Sequence, residues 1–113
     1  MTFINGTPPQ LKLARSLQDS GSVACAAGAF TQLIAAVIRN SKWIQCRINN
    51  VLADGSLEIF TGPPGFEVPL FHWAFSAGTN WDVGNLAFEI PQGTRLSCRP
   101  TVNIGSVEFH IYY

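Results

Sequence analysis

Gly62-Pro63-Pro64-Gly65 is the stretch that most limits how this chain can fold. Two prolines lack N–H donors and fix φ, and the flanking glycines tolerate positive φ, so neither a helix nor a central strand can run through it. On either side, Leu57-Glu58-Ile59-Phe60 and Val68-Pro69-Leu70-Phe71 carry the β-branched and aromatic side chains of short strands. The unit reads as strand, corner, strand. No Gly-X-Y period surrounds the corner, which excludes collagen. It also lacks the Lys-Ser/Thr pair and following helix of a phosphate-binding loop.

The remainder of the chain reads the same way. In Lys42 to Ile48, Ile44, Cys46 and Ile48 share one face while Trp43, Gln45 and Arg47 share the other. In the last segment Val107, Phe109, Ile111 and Tyr113 oppose Ser106, Glu108, His110 and Tyr112. Such a strand needs a neighbour on its open edge. Leu96 and Cys98 oppose Arg95, Ser97 and Arg99, and Leu86, Phe88 and Ile90 alternate with Ala87 and Glu89. Val23 to Ile38 fits both a helical and an alternating period; the β character downstream assigns it to a strand. Asn49-Asn50, Asp54-Gly55 and Ser76 to Asn85 have loop chemistry. Trp81 in that last loop is either tucked over the end of the sandwich or shown to a partner. These elements amount to seven or eight short strands: an all-β, antiparallel, jelly-roll-like β-sandwich. Residues 1–22, with a brief alternation at Leu11-Lys12-Leu13, form an extended N-terminal arm, which orders against its own sheet or a neighbouring subunit. Residues 23–113 form a single sandwich domain.

Charge narrows the functional classes. Only 12% of the 113 residues are Asp, Glu, Lys or Arg, about half the ~25% usual in soluble domains, and seven basic residues cancel seven acidic ones. The chain lacks the basic footprint of a nucleic-acid-binding protein, and its weakly charged surface favours association. Gly21 to Ile38 is interrupted by polar and small residues and lacks the flanks of a membrane span. The first residues do not read as a secretory signal, so the Asn5-Gly6-Thr7 sequon is taken as accidental. A soluble product is expected.

The sequence indicates no catalytic residues, no metal site and no cofactor. Cys25, Cys46 and Cys98 are odd in number, widely spaced and without a C-x-x-C pair. This pattern suggests buried thiols in a reducing compartment, with neither a disulfide framework nor a zinc site. His72, five residues after Glu67, is the one candidate carboxylate–imidazole pair, and a histidine at a strand end is its plainer reading. Arg95 and Arg99 could grip an acidic group on a neighbouring subunit or stand on the solvated side of an edge strand. Phe66, Phe71, Trp73 and Trp81, with Arg95, Arg99, His110 and Tyr112, are the candidate interface residues.

Three segments taken in order carry a resemblance: Gly28-Ala29-Phe30-Thr31-Gln32-Leu33, then Gly62 to Leu70, then Ile90-Pro91-Gln92-Gly93-Thr94-Arg95-Leu96-Ser97-Cys98-Arg99. Together they resemble small β-sandwich virion proteins of tailed bacteriophages, in which a G-x-x-G-x-E corner precedes a strand and an I-P-x-G-T-R turn opens a late one. Prolines 63, 64 and 69 and the aromatic 71–75 segment depart from that pattern. The resemblance implies a structural virion protein, not an enzyme: an accessory capsid subunit for decoration or a head fibre. A tail component is the alternative. Expected partners are other copies of the chain, with a trimer as the leading homo-oligomer, and virion proteins such as the major capsid protein. No direct nucleic acid and no membrane are expected. Expected localisation is the virion, after synthesis in the host bacterial cytoplasm. The rival from another class is a carbohydrate-binding module for host attachment, with Trp43, Trp73 or Trp81 stacking on a glycan.

Overall fold

Alternation of apolar and polar residues puts one face of each strand into a shared interior, and two antiparallel sheets pack around it. The computed structural model of the chain describes residues 17–78 and 80–113. The expected Leu11–Leu13 alternation and the sequon therefore lie outside the described residues. Nine strands follow in order among those described: β1 (Leu17–Asp19), β2 (Val23–Cys25), β3 (Thr31–Ile34), β4 (Trp43–Val51), β5 (Gly55–Thr61), β6 (Val68–Phe75), β7 (Trp81–Ala87), β8 (Leu96–Pro100) and β9 (Ile104–Tyr112).

One sheet has the order β1-β9-β4-β7, with β2 also pairing β9; the other has the order β3-β8-β5-β6. Nested antiparallel pairs explain both. Beginning at the Gly-Pro-Pro-Gly corner, β5 pairs β6, β4 pairs β7, β3 pairs β8, and β1 with β2 pairs β9. The described residues form one long hairpin with its tip at residues 62–65. Rolling it up adds the pairs β4 with β9 and β5 with β8, which makes a jelly roll with β1 and β2 as a single interrupted strand. Gly21, at φ 71°, marks the interruption.

The core lies between the sheets. Ile44, Cys46 and Ile48 from β4 and Val107, Phe109 and Ile111 from β9 meet Leu57, Ile59, Leu96 and Cys98 from the opposite sheet, each at most 1% exposed. The alternations expected in β4 and β9 thus point as read; in β8, Leu96 and Cys98 enter the core as expected, but Ser97 on the opposite face is buried as well (0% exposed). β9 has strands on both sides and leaves no open ladder.

Five expectations change. Asn49 and Asn50, read as loop, lie inside β4, which runs to Val51. Val23 to Ile38 is not one strand: the small residues Ala26 to Ala29 turn the chain, Gly28 takes φ 71°, and Gly28 N donates to Pro100 O. Residues 76–85 are not all loop, because β7 begins at Trp81. Its Asp82 sits opposite Arg47, and this pairing overrides the weak strand preference of Asp, Gly and Asn. Strand character ends at Ala87, so Phe88 and Ile90 lie beyond it. Among the described residues the strands number nine, where seven or eight were expected. As for the N-terminal arm, its described part is residues 17–22, of which Leu17–Asp19 form a strand on its own sheet.

Candidate interaction site at the hairpin tip

Local chemistry makes the tip rigid. Phe66 N donates to Pro63 O at 2.9 Å, with Pro64 and Gly65 (φ 87°) between them, as in a type II turn. Gly62, at φ 113°, lies so close to the returning chain that a Cβ there would stand 2.6 Å from Phe66 O. Glu67 folds back and accepts from Gly65 N at 2.9 Å. Its other carboxylate oxygen lies 3.6 Å from Arg95 Nη1, with the two side chains only 8% and 15% exposed. Arg95 also donates from Nη1 to Gly62 O at 3.1 Å and from Nε to Gln32 Oε1 at 2.8 Å. Sheltered and charge-assisted, these bonds fasten the corner to the start of β8 and to β3.

This rigid tip presents apolar surface. Phe66 is 76% exposed and Val68 58%, with Pro63 and Pro64 exposed beside them. A shallow depression of about 480 Å³ runs alongside, lined by Ala35, Thr61, Pro63, Pro64, Thr94 and Arg95. The stiff turn fixes the backbone beneath this phenyl ring, so association has only its two side-chain torsions left to order, which suits an anchor residue.

The other candidate residues are placed differently. Arg95, a candidate for gripping a neighbour, is engaged within its own chain. Arg99 is 3.6 Å from Glu58, and its guanidinium lies over Phe30 (4.7 Å) and Phe60 (5.0 Å). Phe71 and Trp73 stack at 5.3 Å and pack against the core, and Phe71 meets Phe88 edge-on at 4.9 Å. Trp81 opposes the buried Ile48 at the open edge of β7 and is 38% exposed, along with Leu86 (37%) on the same strand. His72 stands opposite Glu58 and Glu67 pairs with Arg95, so the candidate carboxylate–imidazole pair is not formed and the plainer reading of His72 as a strand histidine holds.

His110 and Tyr112 belong to a polar face on the outside of the first sheet. Asp19 Oδ2 is 3.2 Å from His110 Nδ1, in a geometry short of a hydrogen bond, and Glu108 Oε1 is 3.4 Å from Nε2. Tyr112 OH donates to Gln45 Oε1 at 3.3 Å, Gln45 donates to Asp82 at 3.0 Å, and Asp82 pairs with Arg47 at 3.4 Å. Trp43 is the register partner of Tyr112. Aromatic rings, hydrogen bonds and half-exposed charges share this face, and its ion pairs contribute little stability.

Sequence reasoning missed Ser41. Only 3% exposed, it donates its hydroxyl to Phe88 O and accepts from Ile90 N, both at 2.6 Å, joining the β3–β4 and β7–β8 connections. Among the described residues no group of three or more His, Cys, Asp or Glu could hold a metal ion. No protein-family model matches the chain, and a search of curated proteins finds no relative.

Proposed function

We propose that this chain is a structural subunit of a tailed-bacteriophage virion, an accessory capsid component of the decoration or head-fibre kind that works by protein–protein assembly without catalysis. The observation that carries this reading is Phe66, three-quarters exposed on a corner that a sheltered ion pair holds rigid. Low surface charge and the resemblance of the 28–33, 62–70 and 90–99 segments support it. Partners are further copies of the chain, as a trimer, and a larger shell protein. Light scattering across a concentration series tests it. The wild type assembles, and Phe66→Ser, which removes nothing from the core, shifts the mass toward the monomer with thermal stability unchanged. A wild type that stays monomeric at every concentration and fails to co-sediment with phage particles overturns it.

A second reading rests on the outer face of β4, where Trp43 and Tyr112 lie side by side next to Gln45, Arg47 and Asp82. An aromatic platform edged by planar polar groups suits a sugar ring. Glycan-array binding abolished by Trp43→Ala, with assembly unaffected, favours this reading over the first.

A further inference from the structure

Cys25 lies on β2 in one sheet and Cys98 on β8 in the other, 73 positions apart, yet their sulfurs are 2.8 Å from each other as free thiols. We propose that Cys25 and Cys98 form an oxidisable dithiol, a modification site at which a small hydroperoxide closes a disulfide that staples the two sheets together. The gap is within an ångström of the ~2.05 Å of a disulfide bond.

Access and reactivity favour Cys25 as the sulfur oxidised first. It is 2% exposed and lines an open depression of about 450 Å³ between Ala24, Ala26, Asn50, Leu52 and Asn103, whereas Cys98 is 0% exposed behind it. Of the two thiols, Cys25 is therefore the one that borders the outside. The Cys98 hydrogen bond holds the Cys25 thiol below its ordinary value, outweighing the burial that raises it, while Cys98 is pushed upward as the partner that keeps its proton. The attacking species is the thiolate, so the accessible sulfur is also the more reactive one. Cys46 is 1% exposed and raised to about 12 by burial, so it stays a thiol.

The chemistry balances with hydrogen peroxide as oxidant. Cys25 thiolate attacks the O–O bond, which breaks to leave Cys25 as a sulfenic acid and, after protonation, one water. The sulfur of Cys98 then attacks Cys25 sulfur. The S–S bond forms, the sulfenic hydroxyl departs with the Cys98 proton as a second water, and the two electrons lost by the dithiol are those gained by the peroxide.

The test uses the whole folded chain. After exposure to hydrogen peroxide it is denatured in alkylating reagent and digested with trypsin, which separates Cys25 (residues 16–39), Cys46 (43–47) and Cys98 (the peptide beginning at Leu96). The expected result is that two of the three thiols escape alkylation, residues 16–39 are cross-linked to the Leu96 peptide, and only Cys46 is alkylated. The thermal midpoint should rise by ~10 °C, because the bridge closes a long loop, and fall back on adding dithiothreitol. In Cys98→Ser, oxidation should stop at a Cys25 sulfenic acid trapped by dimedone. The proposal is overturned if all three cysteines remain alkylatable in the wild type. It is also overturned if Cys25 proceeds to sulfinic acid with Cys98 free, or if Cys25 links two chains.

Discussion

Replacing Arg95 by Met tests whether the hairpin tip is held as described. Arg95 Nη1 lies 3.6 Å from Glu67, and both side chains are largely sheltered. At the effective dielectric suited to partly buried pairs, that separation corresponds to roughly 4–5 kcal/mol of attraction, part of which is cancelled by desolvation. Met keeps much of the packing of the arginine stem. It removes the bonds to Gly62 O and Gln32 Oε1 and leaves the Glu67 carboxylate without its cation. The expected loss is about 3 kcal/mol, a large share of the ~5–15 kcal/mol that holds a domain of this size together. Urea denaturation followed by tryptophan fluorescence reads it as a lower midpoint with an unchanged slope. Adding Glu67→Gln should restore about 1–2 kcal/mol, because the unpaired charge is then gone. A loss under about 1 kcal/mol for Arg95→Met, or strict additivity in the double mutant, would show that the corner does not depend on this pair.

Three further outcomes follow from other sites. Gly62→Ala should cost at least about 1 kcal/mol more than Gly65→Ala, since both take positive φ but only at 62 does a Cβ collide with backbone; equal losses in chemical denaturation would refute this. Ser41→Ala leaves Phe88 O and Ile90 N without their partner, so a loss of about 2–3 kcal/mol and faster hydrogen exchange at the Ile90 amide are expected. Burial raises the Cys46 thiol from 9.0 to about 12, so its contribution to stability is intact below pH 9 and is lost as pH climbs toward 12, by up to ~1.4 kcal/mol per unit. Cys46→Ala should flatten that alkaline fall, and pH-dependent urea midpoints of the two proteins that decline in parallel would contradict it.

Where one face of a strand is buried and its residues alternate strictly, the sequence could be read directly. β4 and β9 are of this kind, and each buries the side chains expected of it; in β8 the alternation located Leu96 and Cys98 but gave no sign that Ser97 is covered on the other face. The corner was legible too, because Pro63, Pro64 and the flanking glycines admit few backbone paths. β7 was not, since Asp82, Gly84 and Asn85 have turn chemistry and become a strand only through pairing with β4, a contact between distant segments. The split between β2 and β3 was hidden by a run of small residues that suits either strand or turn. At the tip, Phe66 could be picked out as an apolar residue beside a turn, but its exposure depends on Glu67 finding Arg95. The Cys25–Cys98 contact exists only because the rolled hairpin brings β2 over β8, so spacing along the chain carried no trace of it.

The nested pairing also implies an order of events during folding. Closing the short loop around Pro63 and Pro64 costs little entropy, and each ladder that forms outward from it shortens the closure required of the next. The outermost pairing, Leu17 with Tyr112, is reached last and spans almost the whole chain. Nucleation therefore belongs at residues 55–75, and a residue substituted there should slow refolding. The same change near β1 should chiefly hasten unfolding.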